Sequence, residues 1–244
     1  MSRFRGIMCA SLIFTLGGSV CPAAVVSVLN AGFEDTTGQT TFNEFTFGVS
    51  AGWNVYDPSN ITGNPNVYIG TLQPNGTEFF PVLAPEGNRV AILFNSAQKG
   101  AGEYGISQTL TTSIVANTQY TLTVRVGNIT SGTAVNNVFY DLSNFPGYRI
   151  DLLAGGSVIA TDNNTLSIAE GAWGTSTVTF TTGSSVTPDQ FLGIRLVSLN
   201  ATTGTPDNEV DFDDVQLTAV AIPEPSALLF LCGSMLAVFA YRRR

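Results

Sequence analysis

The chain has 244 residues, 10 basic and 18 acidic, and no histidine, so mechanisms that need an imidazole base or an imidazole zinc ligand are excluded. Between Val25 and Ile222 stand 17 acids and five bases, a net of −12; this repels phosphate backbones and argues against nucleic-acid binding, while it suits divalent cations and a solvated secreted surface. The three cysteines, Cys9, Cys21 and Cys232, all lie near the two ends, so the long middle has no disulfide and no thiolate metal site and must be held by an apolar core.

Arg3 and Arg5 precede an apolar run over 6–20, which ends in Cys21-Pro22-Ala23-Ala24. A basic start, a short apolar stretch and small residues at its end have the layout of a secretory signal peptide. The run is too short to span a bilayer comfortably. We therefore assign 1–24 to a signal peptide cut after Ala23 or Ala24. A lipoprotein site at Cys21 is disfavoured by the bulk of Val20 just before it.

Residues 25–220 read as strands throughout, in a single β-sandwich ectodomain. The segment is rich in Thr, Val, Phe, Tyr, Gly and Asn, which favour extended chain and turns over helix. Strands are predicted over 25–29, 90–94, 106–110, 120–126, 148–153, 175–181, 191–197 and 210–217. The clearest is 120–126, where Tyr120, Leu122, Val124 and Val126 alternate with Thr121, Thr123 and Arg125, the period of a half-buried strand. Turn chemistry separates the strands, as at Pro58-Ser59-Asn60, Pro74-Asn75-Gly76 and Asp162-Asn163-Asn164. Gly100-Ala101-Gly102-Glu103-Tyr104-Gly105 spells a nucleotide-binding fingerprint, but that motif needs a helix after it, and a strand is predicted there. Ser96-Ala97-Gln98-Lys99 spells a serine-lysine motif, yet Gly100 and Gly102 argue against the helix it requires. The acid-rich stretch Val210-Asp211-Phe212-Asp213-Asp214-Val215 closes the segment. On a regular strand Asp213 shares a face with Val215 and Leu217; if that face is core, the carboxylate is buried and must be paired or bind a metal.

Pro223-Glu224-Pro225 breaks the last strand, since proline cannot donate to a ladder. Ser226 can cap a helix. An apolar run follows over 227–241, and Arg242, Arg243 and Arg244 end the sequence, placing that end in the cytoplasm by the positive-inside rule. These residues resemble the PEP-CTERM sorting signal of exported bacterial proteins. The resemblance implies a C-terminal transmembrane helix within 221–244 and handling by an exosortase and the export machinery. It further implies transient anchoring in the inner membrane, then release to the cell envelope or extracellular matrix.

The order Asn30-Ala31-Gly32-Phe33-Glu34, Gly52-Trp53, Ala84-Pro85-Glu86-Gly87, Ile106-Ser107-Gln108 and Asp211-Phe212-Asp213-Asp214-Val215 resembles the galactose-binding-like jelly rolls of carbohydrate-binding modules. That resemblance implies a jelly-roll fold and a structural calcium ion joining the first and last strands, with Glu34, Asp213 and Glu86 as ligands. It also implies polysaccharide binding by a non-enzymatic protein. Trp53, Tyr56, Tyr68, Tyr104, Tyr140, Tyr148 and Trp173 are the rings available to stack on a sugar. Two alternatives stand beside it: a structural or adhesive matrix component, and a glycoside hydrolase using two carboxyls roughly 5–10 Å apart.

Overall fold

The computed structural model describes residues 22–62, 67–96, 101–200 and 206–223. In chain order the strands are β1 (Ala24–Val26), β2 (Thr40–Phe42), β3 (Phe45–Phe47), β4 (Asn54–Tyr56), β5 (Val67–Leu72), β6 (Val90–Asn95), β7 (Tyr104–Ser113) and β8 (Thr118–Asn128). They continue as β9 (Gly132–Thr133), β10 (Phe139–Tyr140), β11 (Tyr148–Ala154), β12 (Ser157–Asn163), β13 (Ala172–Thr181), β14 (Phe191–Ser198) and β15 (Asn208–Ala221). An eight-stranded sheet runs in the order β13-β8-β15-β6-β5-β3-β2, with β1 also paired to β15; a five-stranded sheet runs β12-β11-β14-β7-β4. The short hairpin β9–β10 stands apart from both.

The two sheets pack face to face. Tyr120, Leu122, Val124 and Val126 of β8, with Val210 and Phe212 of β15, meet Ile150 and Leu152 of β11 and Ile194 and Leu196 of β14 in one buried cluster. Alternation in β8 supplies this directly, because every second side chain crosses to the same face. Each of the eight predicted strands is present. The short strands β2, β3 and β4, and also β5, β9, β10 and β12, were not predicted. The segment after Gly102 is β7 and not a helix.

The outer face of the large sheet is covered rather than wet. Phe45, Leu72, Phe79, Phe80, Val90, Ile92, Ile129, Ala134 and Leu142 form a second buried cluster there. Strand register sets out its rows. Glu209 of β15 lies beside Phe94 of β6, which lies beside Tyr68 of β5. One step along, Asp211 lies beside Ile92, then Gly70, then Phe47 of β3. Gly70 has a specific reason to be glycine: a Cβ there would run into the Thr46 carbonyl oxygen of β3.

One predicted orientation is corrected. Val210, Phe212, Val215 and Leu217 all face the core between the sheets, and the register of β15 on β8 shifts between Asp213 and Gln216. Asp214 takes φ 48° at this bulge. The extra residue puts Asp213 on the outer face with Glu209 and Asp211, opposite to Val215. Asp213 is nevertheless fully buried, because the outer face is itself covered.

The predicted C-terminal transmembrane helix falls outside the described residues, as do Glu224, Pro225, Arg242, Arg243 and Arg244 of the sorting motif; Pro223 alone is described. Residues 1–21 of the predicted signal peptide are likewise outside. Among the described residues no helix is long and apolar enough to cross a membrane.

Candidate active site

A pocket of about 450 Å³ opens on the outer face of the large sheet, within the size range of small-molecule sites. Four stretches remote in sequence build most of it: Phe42, Phe45 and Phe47 from the β2–β3 hairpin, Tyr68 from β5, Ile92, Phe94 and Ser96 from β6 and beyond, and Tyr140 and Leu142 from β10 and beyond. Asp207 and Glu209 complete the lining. The rings stand in series. Phe47 and Tyr68 have centroids 4.7 Å apart, and Tyr68 stacks on Phe94 at 5.9 Å. Phe45 meets Tyr140 edge-on at 6.2 Å. Where such a wall turns the face of a ring to the cavity, the negative charge of that face attracts positive charge.

Glu209 is the polar group set into this wall. It is 2% exposed, and among the described residues no donor reaches its Oε1. Burial pushes its carboxyl up to about 8. Asp211 follows two residues on along the same face and is 0% exposed. Burial, and next the Glu209 carboxyl beside it, push Asp211 well above the usual carboxylate range. The Tyr104 phenol is raised too, chiefly by burial and then by Glu209. Over Asp211 lies Trp173, for which Gly127 leaves room: a Cβ on Gly127 would lie 2.7 Å from the Trp173 ring and 3.0 Å from the Asp211 Cβ. Phe80 stacks on Trp173 at 4.6 Å and closes that end. Burial thus favours the neutral, proton-bearing form of this carboxyl on the wall of an aromatic cavity. Desolvation is what makes a carboxyl a usable acid there.

The structure brings Glu34, Glu86 and Asp213 to one junction. The backbone amides of Asn88 and Arg89 donate to Glu34 Oε1 at 2.6 and 2.7 Å. The Glu86 amide donates to Asp213 Oδ2 at 2.8 Å, and the Asp214 amide to Asp213 Oδ1 at 2.7 Å. A Cβ on Gly32 would strike the Glu86 carboxylate, and Val215 donates to the Ala31 carbonyl at 3.1 Å. Burial pushes Asp213 up to about 8, and the Glu86 and Asp214 carboxylates add to the shift. Among the described residues no basic side chain pairs with these three acids, and no group of three or more His, Cys, Asp or Glu is closed around a point that can hold a metal ion. The donors suit a hard cation in kind, being oxygen only; as they stand they do not form a cage.

Of the rings predicted to meet a sugar, only Tyr68 and Tyr140 line the pocket. Trp53, Tyr104 and Tyr148 are in the main core. Tyr56 is roofed by the Arg195 guanidinium at 4.2 Å. The outer face of the small sheet carries ion pairs instead of open rings: Arg149 with Glu103, Arg149 with Asp151 at 3.1 Å, and Arg195 with Asp151 at 2.7 Å. The buried carboxyl of Glu209 was not among the expected site residues. The signal was there in the alternation Glu209-Val210-Asp211-Phe212-Asp213, which puts three carboxyls on one strand face while two apolar residues enter the core.

An all-β sandwich with a buried acid in an aromatic cavity has the makings of an enzyme that acts by proton transfer on an apolar small molecule. The chain belongs to the HpiC1-like family, described as HpiC1 cyclase, which it matches over residues 24–218. It is similar to an apo cyclase from Fischerella sp., at 35% identity and TM-score 0.68 over 83% of this chain and 98% of that one. It is also similar to a Stig cyclase from Fischerella sp. TAU in complex with (3Z)-3-(1-methyl-2-pyrrolidinylidene)-3H-indole, at 34% identity and TM-score 0.69 over 83% of this chain and all of that one. A cyclase from Fischerella sp. TAU in complex with 4-(1H-indol-3-yl)butan-2-one matches at 34% and 0.69, over 82% of this chain and all of that one. No curated protein matches the chain.

These findings overturn several expectations. The family is a cyclase family, so the carbohydrate-binding resemblance does not carry its function over, and the chain is an enzyme of this class rather than a polysaccharide-binding, adhesive or matrix component. The PEP-CTERM resemblance does not supply the family either, and neither exosortase nor membrane finds support as a partner; the partner of a cyclase is a small molecule. The short motifs that carried the carbohydrate resemblance belong to the sandwich frame, which unrelated functions share.

Proposed function

We propose that the protein is an acid-initiated cyclase whose Glu209 protonates an apolar, aromatic small molecule held in the pocket. One observation carries this reading: a buried carboxyl, with no donor among the described residues on its Oε1, lines a cavity walled by six aromatic rings. The Glu209 proton is transferred to an electron-rich carbon of the substrate, leaving a carboxylate on the enzyme and a cation on the substrate. A π bond of the same molecule closes onto the cationic carbon. The new ring then loses a proton to the Glu209 carboxylate, which restores the acid. No oxidant, reductant or cofactor is consumed. Phe47, Tyr68 and Phe94 hold the cation against their faces, and exclusion of water keeps it from being quenched. The indole compounds bound by the Fischerella cyclases support an indole-bearing substrate.

Isothermal titration with 4-(1H-indol-3-yl)butan-2-one tests the pocket. We expect saturable binding at one site per chain, weakened at least tenfold in Phe94→Ala, which removes a large part of the ring wall. Titrations without saturable heat, together with no turnover of indole-bearing alkenes, would sink the reading.

A structural calcium ion also belongs to this proposal, with Glu34, Glu86 and Asp213 as its carboxylate ligands. Its support is the convergence of three acids without a basic partner and the burial of Asp213. It would tie the segment after β1 and the loop before β6 to the bulge of β15. Chelation should lower the melting temperature by several degrees, and Asp213→Asn should remove that response. Melting curves that overlay with and without chelator would reject the ion. Arg3, Arg5 and the apolar run before Cys21 support export as the route to its place of action.

A further inference from the structure

The β9–β10 hairpin belongs to neither main sheet, yet the stretch that includes it supplies Tyr140 and Leu142 to the pocket. Apolar side chains stand open on it: Val135 is 69% and Phe139 64% exposed. Its root is packed, since Ala134 and Leu142 are buried in the outer cluster. Two carboxylates grip its main chain. Glu78 Oε2 accepts from the Thr133 amide at 2.8 Å, and Glu44 Oε1 accepts from the Val135 amide at 3.1 Å.

Glu44 is the unusual member. It sits in the turn between β2 and β3, flanked by the pocket residues Phe42 and Phe45. It is 8% exposed, and among the described residues no donor reaches its other oxygen, Oε2. A half-satisfied buried carboxyl is costly. That cost is recovered when the hairpin lifts and water reaches Glu44. The same group therefore holds the wall in place and lowers the cost of raising it.

We propose that Glu44 is a positioning residue for the pocket, latching the β9–β10 hairpin so that Tyr140 and Leu142 stand as a removable wall over the bound substrate. The inference rests on the pocket being the ligand site, but the latch can be read without any ligand. An apolar substrate needs a way into a cavity that must then be dry, and a clasped hairpin provides both states.

The test compares Glu44→Ala, Glu44→Gln and Glu78→Ala by amide hydrogen exchange and by titration with 4-(1H-indol-3-yl)butan-2-one. In Glu44→Ala, amides over 133–142 should exchange about tenfold faster, as loss of a buried hydrogen bond predicts, while β8 amides keep their protection. Affinity for the indole ketone should weaken by a similar factor. Glu44→Gln keeps an acceptor for Val135 and should restore both readouts to within about threefold of the parent. Glu78→Ala should shift the same amides in the same direction, which guards against a variant that fails to fold. Unchanged exchange over 133–142 in Glu44→Ala, or a Glu44→Gln variant as impaired as Glu44→Ala, overturns the latch. If the parent protein does not bind the ketone, the pocket reading falls, and the exchange measurements still decide the latch.

Discussion

Glu209→Gln is expected to lower turnover by about 10²–10⁴-fold, the range that a positioned general acid supplies, while affinity for 4-(1H-indol-3-yl)butan-2-one changes by less than about threefold, as expected for a near-isosteric change that leaves the ring wall intact. The amide has nearly the shape of the acid and the same lining, but it has no proton to give at neutral pH. The pH profile of the parent should share this origin. Glu209 is protonated below about 8, so turnover should hold through neutrality and fall as pH rises through that value. Rates should be followed on an indole-bearing alkene by product chromatography. A Glu209→Gln enzyme as fast as the parent removes Glu209 as the acid; Asp211, next along the face and more deeply buried, would then be tested in its place. Asp207, also in the pocket lining, is partly exposed.

The sandwich was readable because its longest strands announce themselves. In β8 four apolar residues alternate with polar ones, and every one of the four reaches the core. The pocket was not readable, for a physical reason. It lies on a sheet face that a strand-by-strand reading treats as solvent-facing, and its walls come from segments around 42–47, 68, 92–96, 140–142 and 207–209. No local pattern encodes their meeting. The strands β2 and β3 are three residues each, below the length at which a period of two stands out. Asp213 shows the limit most sharply. Its burial was anticipated from a shared face with Val215, whereas the bulge at Asp214 turns it to the other face. A single residue of positive φ reversed the orientation, and a second covered face gave the burial.

The same burial that makes Glu209 an acid should make the folded protein sensitive to alkali. In the unfolded chain a glutamate titrates near its ordinary 4.5, and in the folded protein near 8. Between those values the native state holds a proton that the unfolded state has lost. Stability must therefore fall as pH rises through this window. The contribution is fully present below about pH 4.5 and is lost as pH climbs past 8. At about 1.4 kcal/mol per unit of difference, the loss is on the order of 4–5 kcal/mol, or roughly 10 °C in melting temperature for a domain of this size. Asp211 shifts in the same direction and steepens the decline. Glu209→Gln carries no charge at either end of the window, so its melting temperature should fall less between pH 5 and 9 and should exceed that of the parent at the alkaline end. Thermal melts at fixed ionic strength and calcium decide this, and parallel curves for the two proteins would show that Glu209 is ionised throughout. A variant that is inactive and yet more stable above pH 8 is the signature of a group kept for chemistry at the expense of the fold.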